Sequence, residues 1–337
     1  MTSPSRLSNP RLLRAYDLIA DKLAKVEEEL LLHFRSPIPT VDRMGSYLAQ
    51  GGGKRIRPAL LLLSARLLGY DERGGNKDVR YAAVVEFIHT ATLVHDDIID
   101  EARLRRGRTS ANARWGNNLT VLFGDYLSTM SMGIALDEGD LTILKVLSDT
   151  TLSMIEGEMI SMEKEGSMQV TRKEALEITR RKTADLFAAA CRLPAHFAPR
   201  GDLVAAERLG EYGRCLGMAF QLIDDLLDYT GSEEEVGKPV LNDLREGKLT
   251  MPLLLAIPKA QPAERERVAT VLRERDFKSV QPAEILSIVD RYDGIPETRA
   301  LARDYAGAAR VALGAFPDSE AKDGLLLATE SVIDRIR

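Results

Sequence analysis

The sequence predicts an all-α protein. Three observations carry this: Leu, Ala, Glu and Arg dominate at helical spacing, almost no segment alternates apolar and polar residues over six positions, and aromatic residues make up only 5%. A hydrophobic content of 45% without low-complexity stretches suits one large helical core. Residues 1–337 are therefore expected to form a single domain, with a motif-bearing core over 40–260 and a helical C-terminal part over 261–337.

Apolar periodicity bounded by turn residues predicts helices over Pro10–Phe34, Thr40–Leu48, Pro58–Leu68, Val79–Asp100 and Asn118–Leu136. Further helices are predicted over Leu141–Lys164, Arg172–Cys191, Leu203–Tyr229 and Leu249–Ala256, with more towards the C-terminus. Breaks fall at Gly51-Gly52-Gly53, Gly74-Gly75, Gly107, Asp137-Glu138-Gly139-Asp140, Gly166 and between Gly231 and Gly247. Val79–Asp100 and Leu203–Tyr229 are apolar on several faces, so both should be central, and both end in aspartates.

Lys+Arg 46 against Asp+Glu 51 gives a net charge of −5 with no block of either sign, which argues against a nucleic-acid surface. The uninterrupted apolar runs Leu60–Leu63 and Leu253–Ile257 are too short to span a bilayer, and Met1–Pro10 lacks the apolar core of a secretion signal. A cytoplasmic protein without a transmembrane segment is expected. Cys191 and Cys215, far apart and among apolar neighbours, read as buried free thiols.

The first chemical signal is His95-Asp96-Asp97-Ile98-Ile99-Asp100. On a helix Asp96 and Asp100 share one face and Asp97 is turned about 100° away. Carboxylates so placed repel one another and oppose the negative end of the helix dipole, unless a cation sits there. Oxygen ligands alone, without Cys or paired His at ligand spacing, favour Mg2+ bridging to a substrate phosphate. Asp224-Asp225-Leu226-Leu227-Asp228 repeats the pattern at the end of a second apolar helix. A single acidic helix tip is more often a solvated surface; two on apolar helices are harder to dismiss.

Basic residues follow the same logic. Gly51-Gly52-Gly53-Lys54-Arg55-Ile56-Arg57-Pro58 puts Lys54 and Arg57 between a turn and a helix that Pro58 would open at its first position, a suitable place for a diphosphate. Arg105 and Arg106 lie just beyond the first cluster. Lys238 and Lys248 punctuate a glycine-containing loop after the second, able to fold over a metal-bound diphosphate. Lys182, within Arg180-Arg181-Lys182-Thr183-Ala184, reads on pattern alone as a surface lysine, and His89 as a core histidine.

Taken together, Gly-Gly-Gly-Lys-Arg-x-Arg-Pro, Leu-x-His-Asp-Asp-x-x-Asp, Arg-Arg-Gly, Gly-Asp at 124–125, Lys-Thr at 182–183, Phe-Gln-x-x-Asp-Asp-x-x-Asp and the paired Gly-Lys motifs resemble the trans-polyprenyl diphosphate synthase family, in its order and across Gly51–Pro252. The resemblance implies an isoprenoid synthase-type bundle of roughly a dozen helices around a central cavity, and a homodimer. It also implies that isopentenyl diphosphate is condensed onto an allylic diphosphate, farnesyl or geranylgeranyl, with three Mg2+ ions per active site.

By the same resemblance, Asp96 and Asp100 hold two ions on the allylic diphosphate and Asp224 a third, supported by Asp97, Asp225 and Asp228. Lys54, Arg57, His89 and Arg106 match the isopentenyl diphosphate pocket. Arg105, Lys182, Thr183, Gln221, Lys238 and Lys248 match the surroundings of the allylic diphosphate and the forming cation.

Short-chain members carry bulky aromatics just upstream of the first cluster, where this chain has Ala91 and Thr92, with Ile88 below. Small residues there leave room for a long product, and each helical turn of about 5.4 Å admits about one more isoprene unit. The stretch Glu86–Leu93 resembles bacterial long-chain synthases of quinone side chains. Met130, Met132, Leu136 and Leu147 are candidates for the channel floor.

A transient membrane contact for product release is expected, and no nucleic-acid partner. The alternatives are a short-chain synthase, a class I terpene cyclase, disfavoured by Lys54, Arg57 and Arg106, and a non-catalytic partner subunit, disfavoured by the intact aspartate clusters.

Overall fold

The structure is a computed structural model and describes residues 10–105, 107–231 and 240–334. In chain order the helices are α1 (Pro10–Asp17), α2 (Ala20–Phe34), α3 (Pro39–Gln50), α4 (Ile56–Leu67), α5 (Lys77–Ile99) and α6 (Ala111–Trp115). Next come α7 (Asn117–Asp137), α8 (Leu141–Lys164), α9 (Arg172–Thr179), α10 (Asp185–Arg192) and α11 (Leu203–Thr230). The remainder are α12 (Asn242–Arg245), α13 (Met251–Ala256), α14 (Pro262–Glu274), α15 (Pro282–Arg291), α16 (Gly294–Leu313) and α17 (Glu320–Asp334). The fold is all-α. Among the described residues the only strands are β1 (Leu104–Arg105) and β2 (Arg108–Thr109), an antiparallel ribbon.

The chain packs as two compact units that interleave in sequence. The first comprises the described residues within 10–151, 186–213 and 311–331. Its centre is α5, against which α2, α4 and α7 pack. An apolar helix needs partners on every side, and Tyr81, Ala82, Ala83, Val84, Val85 and Phe87 are all fully buried there. Leu60 to Leu63 of α4 are at most 2% exposed, so the short run that is too brief for a membrane is a core strip instead. Phe34 meets Phe87 edge to face, ring centres 5.4 Å apart.

The second unit comprises the described residues within 152–185, 214–310 and 332–334. Its core gathers Tyr229, Leu241, Leu244, Leu253, Val268, Val271, Ile285 and Ile288. Helix starts here are sharply specified: capping boxes pair Thr171 with Glu174, Gln261 with Glu264 and Gln281 with Glu284, satisfying first-turn N–H groups that the helix cannot.

Four expectations change. The helix predicted over Pro10–Phe34 breaks at Leu18 and Ile19, where a turn sends Ile19 into the core at 4% exposure. Arg172–Cys191 is interrupted by a π-turn at Arg180–Ala184, in which Asp185 N–H bonds the Arg180 carbonyl. Helix α4 starts at Ile56, because Arg55 takes the left-handed conformation at φ 47°, so Pro58 is its third residue and not its first. Its missing N–H costs nothing there, since no first-turn N–H has an intrahelical acceptor.

Finally, α7 is long and apolar enough to cross a membrane by length and composition. Reading only uninterrupted apolar runs overlooks it, because Thr, Ser and Gly interrupt its apolar residues. One face of α7 packs on α5.

Candidate active site

Each unit carries one aspartate cluster. In the first, Asp96 and Asp100 are half-buried at the end of α5, with Asp100 capping the helix and its N–H bonding the Asp96 carbonyl at 2.8 Å. Asp97, on the other face, is 2% exposed and accepts a 2.6 Å hydrogen bond from Arg105 Nε. The helical offset thus separates the cluster into an outward pair and one inward carboxylate that anchors an arginine. That arginine ends β1, opposite Arg108 of β2. The ribbon is also held by Tyr47 of α3: Tyr47 OH donates to the Thr109 carbonyl at 2.8 Å, and the Arg108 guanidinium lies 4.1 Å from the Tyr47 ring centre. Arg106 lies outside the described residues.

The Gly51–Arg57 turn is fixed by a residue that pattern reading passed over. Arg55 points inward and forms ion pairs of 2.6 Å with both Glu27 of α2 and Glu86 of α5. Burial works against its charge, but the two glutamates outweigh that and raise its pKa further above the usual arginine value. A single acid inside Val84-Val85-Glu86-Phe87-Ile88 was the available signal for such a partner. With Arg55 turned in, Lys54 is exposed, and the Arg57 guanidinium lies 4.5 Å from the Phe187 ring centre. A pocket in this unit is walled by Gly51, Gly52, Arg55, His89, Asp97 and Arg105, among others. Of the residues expected at substrate, His89 and Arg105 stand in its wall; Lys54 and Arg57 do not.

In the second unit, Asp224 is half-buried while Asp225 and Asp228 are 7% and 9% exposed. Asp228 accepts the backbone N–H groups of Asn242 at 2.9 Å and Asp243 at 3.2 Å, so it caps α12. Asp225 accepts from Gln221 Nε2 at 3.0 Å, and Gln221 Oε1 accepts from Thr183 Oγ1 at 2.9 Å. This chain joins three expected site residues across α11 and the π-turn.

Lys182, in the same turn, pairs with Glu158 of α8. Gly157 of α8 makes room for it: a Cβ there would lie 2.6 Å from Arg181 Cβ and 3.1 Å from the Lys182 backbone nitrogen. Lys248 Nζ bonds Glu246 at 2.9 Å. Lys238 lies outside the described residues.

Negative charge accumulates in this set. Burial, opposed by the Gln221 hydrogen bond and reinforced by Asp224, pushes the Asp225 carboxyl up to about 7. Burial and then the charges of Asp228 and Asp225 push Asp243 well above the ordinary carboxylate value.

Among the described residues no three His, Cys, Asp or Glu groups converge into a ready metal cage. The donors that are placed outward are carboxylate oxygens alone. That chemistry fits Mg2+, which binds through one or two carboxylates and completes its shell with water and substrate phosphate.

Of the residues considered for chain length, Ala91 and Ile88 are 1% and 2% exposed, whereas Thr92 is half-buried and donates its hydroxyl to the His89 carbonyl at 2.8 Å. Met130 and Met132 are half-buried, Leu147 is fully buried, and Leu136 is 56% exposed on α7.

A polyprenyl synthetase family profile matches residues 38–289. The chain is 36% identical over 322 residues to the octaprenyl diphosphate synthase of Escherichia coli K12, covering 95% of this chain and 98% of that one. Among solved structures it resembles a polyprenyl synthase from Caulobacter crescentus CB15, complexed with calcium and isoprenyl diphosphate, at TM-score 0.90 and 34% identity, covering 96% and 98% of the two chains. It also resembles a decaprenyl diphosphate synthase from Rhodobacter capsulatus at TM-score 0.89 and 36% identity, covering 97% and 99%. The chain belongs to the polyprenyl synthetase family and is a prenyltransferase with the all-α isoprenoid synthase fold.

The Arg55 restraint is testable. Arg55→Ala leaves Glu86 buried without its partner and should cost about 3 kcal/mol of stability, read from denaturant unfolding. Glu86→Leu in the same background should recover part of the loss. An unfolding midpoint equal to the parent's would show that the pair does not hold the turn.

Proposed function

We propose that this enzyme adds isopentenyl diphosphate units repeatedly to farnesyl or geranylgeranyl diphosphate, giving a long-chain all-trans polyprenyl diphosphate for a quinone side chain. The observation that carries the reading is the pair of aspartate clusters, each at the end of an apolar helix and each followed in sequence by lysines and arginines. Asp96 and Asp100 serve as ligands of two Mg2+ ions and Asp224 of a third. When bound, the ions supply Lewis acidity that neutralises the departing diphosphate.

The chain's own residues do the rest. Lys54, Arg57, His89 and Arg106 bind the diphosphate of isopentenyl diphosphate. Arg105, Lys182, Lys238 and Lys248 offset charge on the leaving diphosphate as the allylic C–O bond breaks. Its ion pair with Asp97 orients Arg105. The double bond of isopentenyl diphosphate then forms the new C–C bond, and the released diphosphate accepts the proton lost. Gln221 has its amide direction fixed by Thr183 and Asp225, and in this reading the lone pairs left on Gln221 Oε1 and Thr183 Oγ1 steady the cationic centre. Aliphatic walls exclude the water that would quench the cation.

The protein acts in the cytoplasm as a homodimer. Support for the dimer comes from apolar residues left uncovered at helical spacing. On α8 these are Leu152, Ile155, Met159 and Met162, each 49–59% exposed, and on α7 Leu119, Leu122 and Leu136, each 43–63% exposed. Brief membrane contact accompanies release of the long product.

Four outcomes are expected. Purified protein with Mg2+, farnesyl diphosphate and labelled isopentenyl diphosphate should give elongated prenyl diphosphates by mass spectrometry. Asp96→Ala and Asp224→Ala should each lower turnover by several powers of ten with circular dichroism unchanged; a cyclic hydrocarbon, or product only after adding a second protein, would refute the reading. Thr92→Phe should shorten the product, and Thr92 is the better site for this than Ala91, where added bulk in a packed position costs about 1–3 kcal/mol. Unchanged product sizes would place the channel elsewhere. Sedimentation should give a dimer, and Leu122→Glu with Ile155→Glu should yield monomer; a parent that sediments as a monomer would remove the dimer from the proposal.

A further inference from the structure

The Gly124-Asp125 pair and His95 belong to the motifs described above, yet no role so far accounts for them. The structure puts them together. His95, immediately before Asp96, sends its ring from α5 onto α7, where Gly124 is buried. A Cβ at Gly124 would lie 2.6 Å from Cδ2 and 2.8 Å from Cε1 of the His95 ring, and closer still to Nε2. The missing side chain is therefore the seat of the ring. From that seat Nε2 is 3.2 Å from the Val121 carbonyl, a turn earlier on α7, and 3.4 Å from Asp125 Oδ1. Both neighbours are acceptors, so Nε2 carries a proton and donates.

We infer that His95 is a positioning residue for the first aspartate cluster, holding the end of α5 in register with α7 through the notch at Gly124 and the acceptors at Val121 and Asp125. Asp96 and Asp100 sit in the last turn of α5 and next to each other's charge, where repulsion and the helix dipole favour fraying. The packing that fixes α5 lies mainly on its other positions, while His95 makes a polar tie from this end of the helix to α7. Groups that orient metal-binding carboxylates from behind commonly change metal affinity by about 10- to 100-fold when removed. The inference rests on the reading of Asp96 and Asp100 as Mg2+ ligands.

The test compares Gly124→Ala, His95→Ala, their double variant and His95→Gln in the full-length protein. Direct binding of Mn2+ is followed by electron paramagnetic resonance in the presence of inorganic diphosphate, with Tm recorded alongside. His95→Ala and Gly124→Ala should each weaken Mn2+ binding about tenfold. The double variant should be no weaker than His95→Ala alone, because both act through one ring. His95→Gln, which keeps a donor, should recover part of the loss.

Weakened stability with unaltered Mn2+ binding in both single variants would overturn the inference and leave His95 a packing residue. Asp96→Ala separates the two levels: if it too binds Mn2+ like the parent, the cluster is not the metal site and the inference falls with that reading. If Asp96→Ala loses binding while the His95 and Gly124 variants keep it, only the inference fails.

Discussion

The rest of the structure depends on how α5 is held against the repulsion at its own end. The helix is buried for most of its length by α2, α4 and α7, and it terminates in carboxylates where the helix dipole is already negative. Packing energy from the apolar length is what permits an unfavourable tip. Freed from that packing, Asp96 and Asp100 would unwind the last turn to separate. Held by it, they stay close together at the helix end, the arrangement from which the proposed metal site is argued.

Around this helix end and its counterpart on α11, the polar side chains divide into those presented outward and those spent on fixing others. Asp97 fixes Arg105, Glu27 and Glu86 fix Arg55, Asp228 fixes the start of α12, and Asp225 with Thr183 fixes Gln221. In three of the four a residue that resembles a site residue in sequence acts as the restraint; Glu27 and Glu86 are the exception. Asp96, Asp100 and Asp224 stay half-buried on the same helices. Each cluster of three aspartates thus holds at least one buried carboxylate that fixes a neighbour.

That division explains what the sequence showed and what it hid. Helical periodicity and glycine placement located α5, α7, α8 and α11 to within two residues at either end, because long apolar segments and turn residues are local signals. Spacing also placed Asp96 and Asp100 together and Asp97 apart. The Arg55 pairs were hidden because they join α2, the turn and α5, residues 28 and 31 positions away, and no local pattern encodes such a contact. The break at Ile19 and the ribbon held by Tyr47 are tertiary choices of the same kind. Arg172–Cys191 reads as continuous helix because each residue in it is a tolerable helix former; only packing against Gly157 reveals the π-turn.

That π-turn has a consequence for how this segment can change over time. A π-turn contains one more residue than the α-helical turn it replaces, so it amounts to an insertion absorbed without breaking the helix. Lys182 and Thr183 reach Glu158 and Gln221, on different helices, from inside that extra residue's loop. Replacing a side chain there alters one contact. Removing a single residue would close the bulge into a regular α-turn and leave the flanking helix in phase, but it would redirect the side chains inside the turn, from which both contacts originate. Along this stretch the count of residues is a stricter inheritance than their identity.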